Sequence, residues 1–329
     1  MNFAERMQPA KPYSVFGLSE EQFIVWCGSI AQGDDGLFYL YFSFWPMEKG
    51  HDAWVTHSKI GFATAKTPLG PFTYRGIALS GAGGDAWDRD CVHNPAVLKV
   101  DGVYYLYYMG NYGNGEYWDH RNHQRVGVAW FQKPEGPFHR LDRPVLDVTP
   151  GAHDSLLTSN PTVCVGGDKR IYMMYKAVSD EGEMPKGGAV VCGMASADHP
   201  LGPFVKSQHP ILTNPENPWS VEDPFLWYGD GRFWAIAKDF QGYFTKAGAH
   251  SVALFESPDG FSWEVSKDYP LAFRLELHWE DGRVETLQNM ERPQMWLDGN
   301  GRPRVLCCAC TRPNDPQRRY AFNVQIPIE

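Results

Sequence analysis

Val92-His93-Asn94-Pro95, an apolar run, the pair Asp101-Gly102 and then Val103-Tyr104-Tyr105-Leu106-Tyr107 form the stretch that decides the fold, because the chain repeats it. The repeated layout is a polar lead-in ending in proline, an apolar strand, a tight turn and an aromatic-rich strand. The prolines stand at 95, 161, 224 and 293, in steps of 66, 63 and 69 residues. The other lead-ins read Thr158-Ser159-Asn160-Pro161, Val221-Glu222-Asp223-Pro224 and Met290-Glu291-Arg292-Pro293. Trp26-Cys27-Gly28-Ser29-Ile30 is the first copy, with Ile30 set against the prolines. Asp35-Gly36, Asp101-Gly102 and Asp230-Gly231 each precede an aromatic-rich strand. Asp-Gly between apolar runs signals a hairpin, because primed turns need positive φ.

A third strand and its exit turn recur as well. Gly61-Phe62-Ala63-Thr64-Ala65 leads to Pro68-Leu69-Gly70-Pro71-Phe72, and Gly193-Met194-Ala195-Ser196-Ala197 leads to Pro200-Leu201-Gly202-Pro203-Phe204. Gly127-Val128-Ala129-Trp130 leads to Pro134-Glu135-Gly136-Pro137-Phe138. A fourth strand follows each turn, as in Phe204-Val205-Lys206. Helix-period patterns are nearly absent, and 33 Gly and 25 Pro punctuate the chain. Five units of about four strands predict an all-β fold, a five-bladed β-propeller, over residues 1–329 as one catalytic domain. The residues before the first unit are expected to close the ring or add an edge strand.

A net charge of −9, with 30 Lys and Arg against 39 Asp and Glu, argues against a nucleic-acid partner, which needs clustered positive charge. No apolar run is long enough to span a bilayer, and Met1–Pro12 has no apolar core of a signal peptide. A cytoplasmic location is expected, or a periplasmic one for a trimmed chain. The seven cysteines are scattered and form no CxxC pair, so they are read as buried, reduced thiols. The aromatic fraction of 14% suits strands, and it also suits stacking surfaces for sugar rings. The expected partner is an oligosaccharide, with neither nucleic acid nor membrane.

In a propeller the innermost strands converge at one mouth of a central channel, so matched repeat positions face a common point. The pairs before the proline position read Gly28-Ser29, His93-Asn94, Ser159-Asn160, Glu222-Asp223 and Glu291-Arg292. Asn-Pro and Asp-Pro also serve as strand caps and turns. Three acids converging on one axis, however, repel unless something uses them. A second matched position, at the end of the next strand, holds Ser43, Met109, Lys176, Lys238 and Cys308. Lysines there either neutralise the acids or bind an anionic ligand.

The five-fold layout, the Pro-Leu-Gly-Pro-Phe turns and the Glu222-x-Pro224 lead-in resemble the five-bladed glycoside hydrolases of families 43 and 117, over nearly the whole chain. Family 43 implies a first-blade general base, a Glu general acid in a Glu-x-Pro lead-in, and an Asp that tunes the acid. Glu222 matches the acid, whereas Ser29 and Asn160 stand at the other two positions. That departure implies a rearranged site closer to family 117, or a lost one. The rearranged set is Glu222, Asp223, Glu291, Asp90 and His278, with His278 or His93 as the histidine acid that family 117 implies. Clustered carboxylates raise one another's pKa, which suits one of them to act as acid near neutral pH. Substrate-binding candidates are Ser29, His93, Asn94, Asn160, Lys176, Lys238 and Arg292. Trp45 and Trp87 join them as stacking platforms, and Trp54, Trp118 and Trp219 lie in similar loop-like segments.

The expected activity is an exo-acting, inverting glycoside hydrolase that releases a terminal sugar in the central funnel. The two lysines point to an anionic, sulfated or anhydro-galactose substrate. Two alternatives stay open: a family 130-like phosphorylase, suggested by Glu222-Asp223-Pro224, and a non-catalytic sugar-binding propeller, suggested by Ser29 and Asn160. No cofactor is expected, and no residue set meets metal-ligand spacing. Some relatives hold a divalent ion in the channel, so a channel-bound cation stays open.

Overall fold

The computed structural model describes residues 2–18 and 22–329. Blade one pairs Phe23–Gln32, Phe38–Pro46, Lys59–Ala65 and Thr73–Leu79 in sequence order. Blade two is Cys91–Val100, Val103–Asn111, Arg125–Phe131 and His139–Arg140. Blade three is Leu157–Val165, Ile171–Val178, Val191–Ala197 and Val205–Lys206. Blade four is Val221–Gly229, Arg232–Asp239, Ser251–Ser257 and Glu264–Val265, and Leu271–Phe273 also pairs with its third strand. Blade five is Asn289–Leu297, Pro303–Thr311 and Phe322–Pro327, completed by Val15–Phe16 from the N-terminal end of the chain. Val15 pairs antiparallel with Val324, so the ring is closed by hydrogen bonds between the two ends of the chain.

The repeat becomes structure for local reasons. Asp101 and Gly102, and likewise Asp230 and Gly231, all take positive φ, as the primed hairpin turn requires. Both faces of each blade are covered by its neighbours, so the strands read as long apolar runs rather than alternating ones. The core lies in the seams between blades. Tyr39, Tyr41 and Phe62 of blade one pack against Leu106, Tyr104 and Phe131 of blade two, the last two rings stacked at 5.5 Å. Corresponding clusters fill the seams between blades two and three, three and four, four and five, and five and one. Polar clamps repeat as well. The Tyr41 hydroxyl donates to the Pro134 carbonyl at 2.7 Å, and Tyr107 does the same to Pro200, each reaching the exit turn of the next blade.

All seven cysteines are buried and free of disulfides. Among the described residues no helix is long and apolar enough to cross a membrane.

The first strand of each blade carries a β-bulge where the lead-in meets the strand, and there the chain turns its side chains to the channel. In blade one the bulge falls between Val25 and Gly28. Gly28 therefore takes the proline place, and Trp26-Cys27 is the first-blade pair. The alignment on Ile30, which put Gly28-Ser29 there, is two residues off. Ser29 instead lies deeper, where its hydroxyl accepts the Val97 N–H at 3.0 Å. Thr162 makes the same bond to Leu226 N–H at 3.0 Å, which confirms the match between Ser29 and the residue after proline. Thr162→Val keeps the shape but strips this buried N–H of its acceptor. It is expected to cost about 1–3 kcal/mol, read as a lower denaturant midpoint with an unchanged slope.

Candidate active site

Four bulge residues share one left-handed backbone conformation: Asn94, Asn160, Asp223 and Arg292, at φ of 56°, 48°, 56° and 51°. Asn and Asp tolerate this region through local side-chain hydrogen bonds, which explains the first three. Their side chains form a belt around the channel. The Cys27 thiol donates to Asn94 Oδ1 at 3.1 Å, Asn94 Nδ2 donates to Asn160 Oδ1 at 2.6 Å, and Asn160 Nδ2 donates to Asp223 Oδ1 at 2.7 Å. The Arg292 backbone N–H reaches Asp223 Oδ2 at 3.3 Å and extends the belt to blade five.

Above the belt lies a cavity of about 260 Å³. The first residue of the matched pair faces it in four blades, as Trp26 in blade one, His93 in blade two, Glu222 in blade four and Glu291 in blade five. Its walls come from loops. The segment joining the second and third strands of blade one brings His51, Asp52 and Trp54, and the corresponding helix Tyr117–Asn122 of blade two brings Tyr117, Trp118 and Arg121. Trp219, Phe240 and Arg318 come from the later blades. Long loops on a rigid scaffold are the usual carriers of binding residues.

The electrostatics follow a repeated rule. Lys176 of blade three donates to Glu222 of blade four, and Lys238 of blade four donates to Glu291 of blade five. Both lysines are thus committed to glutamates of the next blade. Burial raises Glu291, but Lys238 overrides it and holds the carboxyl below its ordinary range. Burial pushes Asp223 up to about 6; the neighbouring Glu222 charge adds to this and Arg292 opposes it. The His51 hydrogen bond holds Asp52 below the usual carboxylate range, with Arg318 also beside it. Burial, then the charge of Arg292, keeps His93 well below its ordinary range, so it stays neutral. An imidazole held neutral has no proton of its own to deliver as an imidazolium near pH 7.

The structure gathers Glu222, Asp223, Glu291, His93, Asn94, Asn160, Lys176, Lys238 and Arg292 at this cavity. It places the other candidates elsewhere. Ser29 lines a separate cavity among the deeper parts of the first strands, with Gln32, Val97 and Gln294. Asp90 accepts the Gly113 N–H at 2.9 Å in the turn before blade two. His278 sits in an exposed hairpin, 3.7 Å from Glu276. Trp45 is buried behind the wall, donating to the Gly50 carbonyl at 3.1 Å and packing edge-on against His93. Trp87 stacks on Tyr108 and fills the space over Gly110 and Gly127. Sequence reasoning missed Trp26, His51, Asp52, Tyr117, Arg121 and Arg318. The one available signal was that the loop carrying His51-Asp52-Ala53-Trp54 is long and rich in polar and aromatic types.

The channel cation that the resemblance implied does not suit these residues. The oxygens of Asn94, Asn160 and Asp223 accept hydrogen bonds around the belt, and a guanidinium stands beside them. Among the described residues no group of three or more His, Cys, Asp or Glu gathers to hold a metal.

The sequence matches no family model and no curated protein. Solved structures do match. The fold is that of glycoside hydrolases of families 117 and 43. A family 117 glycoside hydrolase produced by the marine bacterium Zobellia galactanivorans aligns with a TM-score of 0.67 at 19% identity, over 98% of this chain and 89% of its own. A thermostable family-43 glycoside hydrolase aligns at 0.65 and 15% identity, over 97% and 92%. The native arabinanase of Bacillus subtilis aligns at 0.63 and 12% identity, over 96% of each chain.

Proposed function

We propose that this chain is a glycoside hydrolase that removes one terminal sugar from an oligosaccharide, with inversion. The observation that carries this reading is the convergence of Asp52, Glu222, Asp223 and Glu291 with several aromatic rings in a cavity of about 260 Å³. That volume is small for a chain of sugars and suits a single ring, hence exo action. Inversion needs one carboxyl to protonate the leaving oxygen and another to activate water on the opposite face. The Asp223 carboxyl, raised by burial and by the neighbouring Glu222 charge, stands beside Glu222, the acid. Glu222, whose side chain is 17% exposed against 7% for Asp223, is the one placed to meet the leaving oxygen. Asp52, kept ionised from the first-blade loop, is the base that the strand itself lacks. Glu291 and Lys238 stay a fixed ion pair, and Trp54 and Trp118 supply stacking faces.

An anionic terminal sugar belongs to this reading. Its support comes from Arg121, since Lys176 and Lys238 are taken by glutamates; the Arg121 Nη2 has no hydrogen-bond partner among the described residues. Stronger affinity for neutral than for anionic sugars would remove that part.

The experiment is release of sugar from aryl glycosides and from plant and algal oligosaccharides, with and without phosphate, for wild type and Asp52→Asn. Phosphate-independent release is expected, with kcat lowered about 10²-fold in the variant. Release only with phosphate would instead support a phosphorylase, and binding without turnover a sugar-binding propeller. In the wild type kcat/KM is expected to fall as pH rises through about 6, because the Asp223 carboxyl beside the acid ionises there.

A further inference from the structure

Arg292 breaks the pattern of its own ring. The matched positions in blades two to four hold Asn94, Asn160 and Asp223, short side chains suited to φ near +50°, whereas blade five holds a long basic one there. Arg292 takes that backbone region and is 2% exposed. Its guanidinium lies within the ring, with Nη1 3.6 Å from Asp223 Oδ1, and its charge bears on Cys27 of blade one and His93 of blade two. None of its three side-chain nitrogens has a hydrogen-bond partner among the described residues. A buried charge left this bare is costly unless its field is used. Strain and burial at one residue mark a place where position outweighs local stability.

We propose that the Arg292 guanidinium is a tethered cation occupying the channel position that a divalent ion holds in some related propellers, so that this site is built to work without metal. The side chain leaves blade five, lies beside Asp223 of blade four and is buried among the belt residues. The belt below spends its oxygens on amide and thiol donors rather than presenting them to an ion. Asp223, the only carboxylate in the belt, is the group the cation serves. Around it stand Glu222 on its own strand, Lys238 on the next strand, Glu291 and Arg292 from blade five, and the Cys27 and Cys192 thiols. Arg292 opposes the rise that burial and the glutamates impose on Asp223. Arg292 is therefore a positioning residue for Asp223, the carboxyl beside the acid.

The test does not depend on which sugar is the substrate. Wild-type protein is treated with EDTA, then titrated with Ca²⁺, Mg²⁺ and Mn²⁺ while heat and Tm are followed. No change on chelation and no ion-dependent rise in Tm are expected. Arg292→Met is expected to lose stability and to regain several degrees of Tm with one of these ions, whereas Arg292→Lys, which keeps the charge, stays ion-indifferent. The folded-state titration of Asp223 lies above its unfolded value, so its burial penalty grows as pH rises and levels off near 6. In Arg292→Met that levelling moves to higher pH, and in Arg292→Lys it does not. If Arg292→Met folds only when an ion is supplied, refolding yield against ion concentration reads the same point. Tight one-to-one ion binding by the wild type that Asp223→Asn abolishes would overturn the proposal. So would an Arg292→Met variant as stable as wild type and indifferent to ions.

Discussion

Glu222→Gln is expected to lower kcat about 10²–10⁴-fold on sugars with alkoxide leaving groups, with affinity for the sugar little changed. Glutamine keeps the length and planarity of the side chain but carries no transferable proton. The loss is expected to be much smaller on nitrophenyl glycosides, whose leaving group departs without protonation. That contrast separates an acid from a merely structural residue, because a distorted site loses rate on both. Equal losses on the two substrates would move the acid elsewhere, with Asp223 the next candidate. The substitution also leaves Lys176 without its carboxylate, so Tm belongs beside the kinetics. A lowered Tm with the leaving-group contrast intact still places the proton on Glu222.

Lys238→Met is expected to cost about 3–5 kcal/mol of stability, because it removes one partner of a buried pair and leaves the other charged. Among the described residues, Glu291 would keep only the Asn289 Nδ2 hydrogen bond at 2.7 Å. The sign with pH follows from the direction of the Glu291 shift. A carboxyl held low in the folded protein contributes stability that is present above its unfolded pKa and lost as pH falls through the folded one. The gap between variant and wild type is therefore widest near neutral pH and narrows in acid. Adding Glu291→Gln to Lys238→Met is expected to recover much of the loss. Two single variants and the double one, unfolded in denaturant at pH 7 and in acid, check this. Additive losses would mean that the two side chains are not a coupled pair.

The repeat carried the fold in plain view. Turn chemistry such as Asp101-Gly102 is local, so a few residues suffice to announce it, and five copies in register leave little other than a propeller. The glutamates were legible for the same reason: Glu222 and Glu291 follow a strict spacing from a proline. Blade one lacks that proline, and its register could not be counted. The bulge between Val25 and Gly28 places Cys27 in the belt and removes Ser29 from it, which only the strand pairing reveals.

The rest was decided by tertiary structure, because loops obey no period. Asp52 and Arg318 lie at opposite ends of the chain and meet over the cavity at 3.3 Å. His278 and Asp90 looked well placed by their distance from a lead-in, yet each loop folds away from the mouth. Whether Lys176 and Lys238 wait for a ligand or hold a neighbour's glutamate is equally invisible in one dimension, since the partner belongs to the next blade. The sequence by itself determined the number of blades, the strands within them and which side chains come in matched sets. Only the closing of the ring decided which of those sets share a cavity, which charges cancel, and that Arg292 lies buried beside Asp223, because those outcomes depend on contacts between repeats rather than within them.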